Sequence, residues 1–554
     1  MERFLFFIKK NWAYIIPFLL TISLIPFSEF IYNFINKRYL TAPFSFMVGL
    51  CIFLLPVYFF RNKLKLYLIL LLPLLLIVPF NLAYVLIFNS TITEATILMV
   101  VNTSRNEAGE LLSGYLNVLI IFIITYLVAL FLLFRKSPNA ISSTKAKLIS
   151  LFSLAFLALS PFVLYDHKTN YYGNLRNKID NIFPFTLFNS IETIYEQNQF
   201  IKATEKERDK FVFSSKQDSS ITDKQVHILI IGESCRYDHW GINGYQRNTS
   251  PLLSKRKNFI SFSNVASSCY MTELAVPLLL TGVGAEHFDL HNTRKSMIGA
   301  FEESGFSSHW ITNQSDIGAN IKIHSLEANN MHYLLSDFRS TKHVHRDMEL
   351  IGILKKILAE PDQKKFIVIH TLGSHYNYST RYPDKFDVFT PSNKTVPTKV
   401  TDKSSKNILV NSYDNSILYT DAVIDSIITT VTNLNNFASV TFLSDHGEDL
   451  LDDSRDFTDH GHASPPSKYV AHIPFFIWYS NKLANAYPEK VSNLLQHKDS
   501  LISSENLINT MTGLVGIHYP TQDSLKDISG KYFQNNKQLI LGESNKIYPF
   551  SILK

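Results

Sequence analysis

The stretch Ala438-Ser439-Val440-Thr441-Phe442-Leu443-Ser444-Asp445-His446-Gly447-Glu448 joins an apolar run to a carboxylate and an imidazole. The run reads as a buried strand, and Asp445 and His446 then stand at its exit. A second apolar run, Val226-His227-Ile228-Leu229-Ile230-Ile231, ends in Gly232-Glu233-Ser234. Glu233, Asp445 and His446 are oxygen and nitrogen donors of the kind Zn²⁺ takes. Two strand tips that deliver such donors imply one shared metal site.

Further β-rich runs, Phe366–His370 and Pro474–Tyr479, alternate with helical stretches. In Tyr413–Leu434, Ile417, Leu418, Val423, Ile424, Ile427 and Ile428 recur at helical spacing. Strands separated by helices imply a mostly parallel central sheet covered on both faces. Ligands bind beyond the C-terminal ends of such strands. Glu233, the segment from His370 to His375, and Asp445-His446 all fall there. This α/β domain is expected to span residues 223–554, with Pro391–Ser405 as a surface loop.

The chain has 554 residues, 46% hydrophobic and 18% charged. Its long apolar runs lie almost entirely before residue 168. Five are long enough, or nearly so, to cross a bilayer: Trp12–Phe34, Phe44–Phe60, Leu66–Phe88, Leu116–Phe134 and Leu148–Tyr165. The first is too long for a cleavable signal segment, and four more follow it. One set of connecting loops holds Arg3, Lys9, Lys10, Arg61, Lys63, Lys65, Arg135, Lys136, Lys145 and Lys147; the other holds Lys37, Arg38 and Arg105. This bias places the N-terminus in the cytoplasm and everything after residue 168 outside. The outward loop Asn89–Tyr115 carries Glu94, Glu107 and Glu110, a solvated loop or a surface for lipid headgroups. Residues 169–222 form a connector whose helix, near Asn189–Phe211, is solvated or lies on the membrane surface. The net charge of +6 comes with no basic stripe interleaved with aromatics, so nucleic acid is not an expected partner. Of three cysteines, Cys235 and Cys269 fall on the oxidising side and can pair there; a dense disulfide framework is excluded.

Three protein ligands leave a fourth metal position open. Water there makes a hydrolase; a side-chain hydroxyl makes a covalent catalyst. Ser267, Ser268 and Thr272 all lie in the nearby segment Asn264–Glu273 and are candidate nucleophiles.

The chain resembles the membrane-anchored phosphoethanolamine transferases of Gram-negative bacteria, within the alkaline phosphatase and sulfatase superfamily. The motifs that carry this are Gly232-Glu233-Ser234, Gly244-Tyr245-Gln246-Arg247-Asn248-Thr249-Ser250-Pro251, Asn264-Val265-Ala266-Ser267 leading to Thr272 and Pro277, Leu372-Gly373-Ser374-His375, Tyr413-Asp414-Asn415-Ser416, Ser444–Glu448 and His460-Gly461. The resemblance implies a five-helix transmembrane domain at residues 1–168, a linker with an interfacial helix at 169–222, and a periplasmic sulfatase-like domain at 223–554. It implies Thr272 as nucleophile and as a ligand beside Glu233, Asp445 and His446. It gives His375 and His460 catalytic or substrate-binding roles, with His462 the nearest rival to His460. Asn313, Gln314 and Glu448 are further substrate-side candidates. One zinc ion is expected and a second is compatible. The implied reaction moves phosphoethanolamine from phosphatidylethanolamine, through a phospho-threonine, to a glycolipid or glycan acceptor at the bacterial inner membrane. Cys269 has no partner near Pro277, and Gly318 stands where the lipid A modifiers carry lysine. The acceptor therefore ranges over lipid A, core oligosaccharide and periplasmic glucan. The chain is expected to be monomeric. The rival readings are a phosphoglycerol transferase or phosphodiesterase of the same superfamily, and an inactive membrane scaffold.

Overall fold

The computed structural model describes residues 12–88, 97, 116–163, 179–180, 182–314, 319–334, 345–396, 398, 403–452, 458–459 and 465–554. The chain forms two compact units, one ending at Gln199 and the other running from Phe200 to Lys554. The loop glutamates Glu94, Glu107 and Glu110, and His460 and His462, lie outside the described residues.

In the first unit the helices are α1 (Ile16–Ser23), α2 (Phe27–Ile35), α3 (Thr41–Leu54), α4 (Leu64–Leu70), α5 (Leu72–Phe88), α6 (Leu116–Lys136) and α7 (Ser143–Leu159). Among the described residues, three helical stretches, Thr41–Tyr58, Leu116–Lys136 and Ser143–Phe162, are long and apolar enough to cross a membrane, and two bent pairs raise the number to five if each pair is one span. The bends correct the continuous first and third spans drawn from hydropathy. The chain turns by 65° between α1 and α2 and by 54° between α4 and α5. Pro26 precedes α2 and Pro73 sits in the first turn of α5; proline has no N–H to continue the preceding ladder. α6 turns Val118, Ile121 and Phe131 outward, as lipid contact requires. The continuous helix α8 (Phe185–Lys210) carries the chain from the first unit to the second.

The second unit is built on a seven-stranded sheet. Its strands are β1 (Gln225–Gly232), β2 (Phe259–Phe262), β3 (Ser307–Thr312), β4 (Asn330–Tyr333), β5 (Lys364–His370), β6 (Phe437–Ser444) and β7 (Phe475–Tyr479). The spatial order is β2-β7-β6-β1-β5-β3-β4. Every neighbouring pair is parallel except those made by β7, which runs against both β2 and β6. β1 is central and buried along its whole length. Its alternation serves two cores. Ile228 and Ile230 pack under helix α10 (Lys406–Thr432), with Ile417, Ile424 and Ile428. Leu229 and Ile231 face the opposite layer, with Ile298, Phe301 and Met511. The register Gly232↔Ser444 and Ile231↔His370 brings the ends of three strands to one edge.

Candidate metal centre

Gly232 closes β1 where β6 comes nearest; a Cβ there would lie 2.5 Å from the Phe442 ring. The chain then turns at Ser234, whose φ of 57° is left-handed. Asp445 N donates to Gly232 O at 3.0 Å, locking the two strand exits together. One donor atom each from Glu233, Asp445 and His446 lies within 4.8 Å of the others, and all three residues are buried.

The hydrogen bonds aim these donors at one point. His446 Nδ1 donates to Gly447 O at 2.7 Å, which leaves Nε2 as the lone-pair side. That Nε2 lies 3.3 Å from Glu233 Oε1 and 3.3 Å from Asp445 Oδ2. Asp445 Oδ1 accepts from Ser234 N at 3.2 Å and from His446 N at 2.7 Å. Its Oδ2 is buried and accepts no hydrogen bond among the described residues. Ser234 Oγ donates to Glu233 Oε1 at 2.9 Å. An orphaned carboxylate oxygen facing a lone-pair nitrogen and a second carboxylate suits a divalent cation, and the donor set suits zinc. Without one, burial and the Glu233 charge push Asp445 up to about 8. Burial works against a charged His446, but the carboxylates of Asp445 and Glu233 outweigh it and move its pKa up to about 10.

Thr272 is the first residue of helix α9 (Thr272–Thr281). Its Oγ1 is 2.9 Å from His446 Nε2 and 3.3 and 3.4 Å from the Glu233 carboxylate oxygens. A phosphate at this hydroxyl meets the positive end of a helix. Ser267 and Ser268 point elsewhere. Ser267 Oγ donates to Cys269 O at 2.5 Å, and Ser268 Oγ is bonded to Ser503 Oγ at 3.1 Å and Ser504 Oγ at 2.9 Å.

The loop after β5 closes over Glu233. Ser374 N donates to Glu233 O at 2.9 Å, and a Cβ on Gly373, whose φ is 50°, would lie 2.7 Å from that same oxygen. His375 follows, its Nδ1 donating to Tyr376 O at 2.7 Å. Gln314 Nε2 donates to Thr371 O at 2.8 Å and reaches Glu233 Oε2 at 3.4 Å, so it braces the cluster. Asn313 is buried, and its amide donates to Asp347 Oδ1 at 3.0 Å. Glu448 is fully buried and accepts from Tyr378 OH at 2.7 Å. Cys235 and Cys269 are free and buried, not paired with each other; burial pushes each thiol up to about 12.

Asp347 escaped the sequence reading. Besides Asn313, it accepts from Leu372 N at 3.0 Å and Gly373 N at 2.9 Å, and so fixes the loop that bears His375. Nothing in Arg346-Asp347-Met348 marks it; the glycine it serves is the better signal. The Gly244–Pro251 motif proves to be a clamp. Tyr245 OH at 2.9 Å and Arg247 Nη1 at 2.7 Å both meet Asp414 Oδ2 on α10, and His239 Nδ1 meets Oδ1 at 2.6 Å. One residue earlier, Tyr413 OH donates to Ser234 O at 2.6 Å, so the clamp holds α10 against the turn after Glu233.

A model of the sulfatase family matches residues 225–517, more than half of the chain. The chain belongs to the sulfatase family. It is 26% identical over 474 residues to phosphoethanolamine transferase EptC of Escherichia coli (strain K12), covering 83% of this chain and 81% of that protein. The C-terminal periplasmic domain of Escherichia coli EptC, solved in complex with Zn, superimposes with a TM-score of 0.56 at 25% identity over 62% of this chain and 96% of that one. The integral membrane protein EptA, a lipooligosaccharide phosphoethanolamine transferase from Neisseria meningitidis, shares the fold with a TM-score of 0.74 at 20% identity, over 94% and 98%. The family resemblance and the fold class read from the sequence are borne out.

Proposed function

We propose that this chain is a zinc-dependent phosphoethanolamine transferase of the bacterial inner membrane. It takes the group from phosphatidylethanolamine and passes it to a lipid A, core oligosaccharide or glucan acceptor. The observation that carries this reading is the 2.9 Å approach of Thr272 Oγ1 to His446 Nε2 inside the Glu233–Asp445–His446 cluster. The relatives named phosphoethanolamine transferases support the choice of group. In this reading residues 1–168 form the five-span membrane domain, 169–222 the linker and 223–554 the periplasmic catalytic domain, with a cytoplasmic N-terminus.

Glu233, Asp445 and His446 would hold the zinc ion, with Thr272 in the remaining position. The ion supplies Lewis acidity that lowers the pKa of the threonine hydroxyl. Thr272 Oγ1 gives up its proton and forms a bond to phosphorus as the bond to the diacylglycerol oxygen breaks, and that leaving oxygen takes up a proton. The acceptor hydroxyl then attacks phosphorus as the bond to Thr272 Oγ1 breaks; the acceptor gives up its proton and Thr272 Oγ1 takes one up. The N-terminus of α9 stabilises charge on the phosphoryl oxygens. His375 and His460 are assigned to headgroup binding or proton transfer.

Mass spectrometry of envelope glycolipids and glycans, with and without the chain, tests the proposal. A phosphoethanolamine mass that disappears with Thr272→Ala is the expected result. A glycerophosphate mass would replace this reading with a phosphoglycerol transferase, and an unchanged envelope would leave a scaffold.

A further inference from the structure

Away from the metal centre, three buried polar atoms of one side-chain cluster have no hydrogen-bond partner among the described residues: His291 Nδ1, Asn292 Oδ1 and His324 Nε2. Their residues are 2%, 6% and 0% exposed. Buried polar groups without partners are uncommon, and several together call for an occupant that supplies the missing bonds. The His291 and His324 ring centres are 6.0 Å apart, with their planes at 58°. An ion shared by two imidazoles, at about 2.1 Å from each nitrogen, sets the ring centres about 5–6.5 Å apart.

The surroundings decide which nitrogen each ring has free. His324 Nδ1 donates to Glu327 Oε1 at 2.8 Å, while Glu327 Oε2 accepts from Ser296 N at 2.8 Å and Ser296 Oγ at 2.6 Å. Glu327 therefore accepts at both oxygens, and His324 Nε2 is the lone-pair side. A carboxylate behind a histidine is the usual support of a metal-bound imidazole. His291 Nε2 is 3.2 Å from the Asn292 side-chain amide. That amide can turn over without changing shape, giving up only a 3.4 Å contact to Asp289 O. Its Oδ1 then accepts the Nε2 proton, and His291 Nδ1 becomes the lone-pair side. Burial, with the charges of His324 and Arg208, pushes His291 down to about 3, so the ring is neutral. The cation of the cluster, Arg208, donates from Nη1 to Asn292 O at 3.2 Å and is offset by the Glu327 carboxylate.

Paired imidazoles suit zinc. We propose that His291 Nδ1 and His324 Nε2 bind a zinc ion, a structural clamp separate from the Glu233–Asp445–His446 cluster. It ties the segment Ala285–Asn292, which follows α9, to the helix Ala319–Ser325. That helix in turn presents Asn320 N to Glu273 Oε1 at 2.8 Å, beside Thr272. With two protein donors the ion keeps positions for water, and it binds more weakly than at the catalytic cluster. The clamp does not rest on the transferase reading.

Equilibrium dialysis of the full chain in detergent against radiolabelled zinc counts the bound ions. His291→Gln and His324→Gln should each bind one ion fewer than the wild type, while Asp445→Ala/His446→Ala should lose the catalytic ion and keep this one. Glu327→Gln keeps shape and removes only the carboxylate behind His324, and it should weaken the clamp ion about tenfold or more. Zinc should raise the melting temperature of Asp445→Ala/His446→Ala, and adding His324→Gln should abolish that shift. Equal zinc counts in the wild type and both histidine variants overturn the site. An absent melting shift in Asp445→Ala/His446→Ala also overturns it, and leaves the orphaned atoms to buried water. Should the histidine variants fail to fold, Glu327→Gln carries the test, and an unchanged zinc affinity there overturns the clamp. If the zinc counts fall as expected while the envelope gains no phosphoethanolamine, the transferase reading fails and the clamp stands.

Discussion

Zinc binding to the metal-stripped chain should expel protons. The cluster places two carboxylates and an imidazole in a dry pocket, with His446 Nε2 3.3 Å from an oxygen of each acid. Burial and Glu233 raise Asp445 to about 8, and the two acids raise His446 to about 10. His446 is raised by the charge of Asp445, so the two titrate as one pair, which at pH 7 holds at least one proton in the absence of a cation. Zinc takes deprotonated ligands, so about one proton leaves per ion. Each proton released changes the apparent affinity about tenfold per pH unit, or about 1.4 kcal/mol between pH 6 and pH 7. The sign for stability follows from the same shifts. Both folded-state pKa values are raised, so the metal-free fold binds extra protons and loses stability as pH rises towards 8 and then 10; zinc removes that dependence. Calorimetric titration of zinc in two buffers of different ionisation enthalpy counts the protons. Asp445→Asn should release fewer, because it removes both an acid and the charge that raises His446. A release below about half a proton in the wild type would refute the reasoning, because it would mean that the three donors do not share one pocket.

Three further outcomes follow from single contacts. Asp347→Asn keeps shape but turns an N–H toward the Gly373 N–H, now bound to Asp347 Oδ2 at 2.9 Å; urea unfolding should show a loss of about 1–3 kcal/mol. Gly373→Ala forces a Cβ to 2.7 Å from Glu233 O at a φ of 50°, and should cost about 1–3 kcal/mol and weaken zinc binding in chelator competition; an alanine variant as stable as the wild type would contradict the placement of this loop. His227 is fully buried beside Ser439 Oγ at 2.8 Å, and burial pushes its pKa down to about 3. Unfolded histidine titrates near 6.5, so below about pH 6.5 the unfolded chain binds the extra proton and stability is lost as pH falls. His227→Leu should flatten the pH dependence of the urea midpoint by about 1.4 kcal/mol per pH unit between pH 6 and 4, followed by tryptophan fluorescence.

The centre of the large sheet was legible because β1, β5 and β6 are buried on both faces and therefore run mostly apolar. Their tips named Glu233, Asp445 and His446 directly. The two edge strands were not legible. β2 and β4 are four residues long and carry Ser261 or Asn330 and His332, so no apolar run announces them. The membrane helices were visible as hydropathy, but the bends were hidden in it, since apolar flanks mask Pro26 and Pro73. Among the site residues, the sequence alone left Ser267, Ser268 and Thr272 open and the family resemblance pointed to Thr272; in the fold the hydroxyls of Ser267 and Ser268 are tied to other partners. Asn313 and Gln314 were expected to line a headgroup pocket; the distances give Asn313 to Asp347 and Gln314 to Glu233, two contacts that depend on chain segments far apart in sequence.

The central claim is that Thr272 carries the phosphoryl group during transfer. Incubating the zinc-loaded chain with phosphatidylethanolamine and no acceptor, then mapping its peptides by mass spectrometry, tests it most directly. Phosphoethanolamine on the peptide that contains Thr272, chased off by adding acceptor and absent in Thr272→Ala, is the predicted result. The same mass on another residue, or transfer to acceptor that persists in Thr272→Ala, would contradict it.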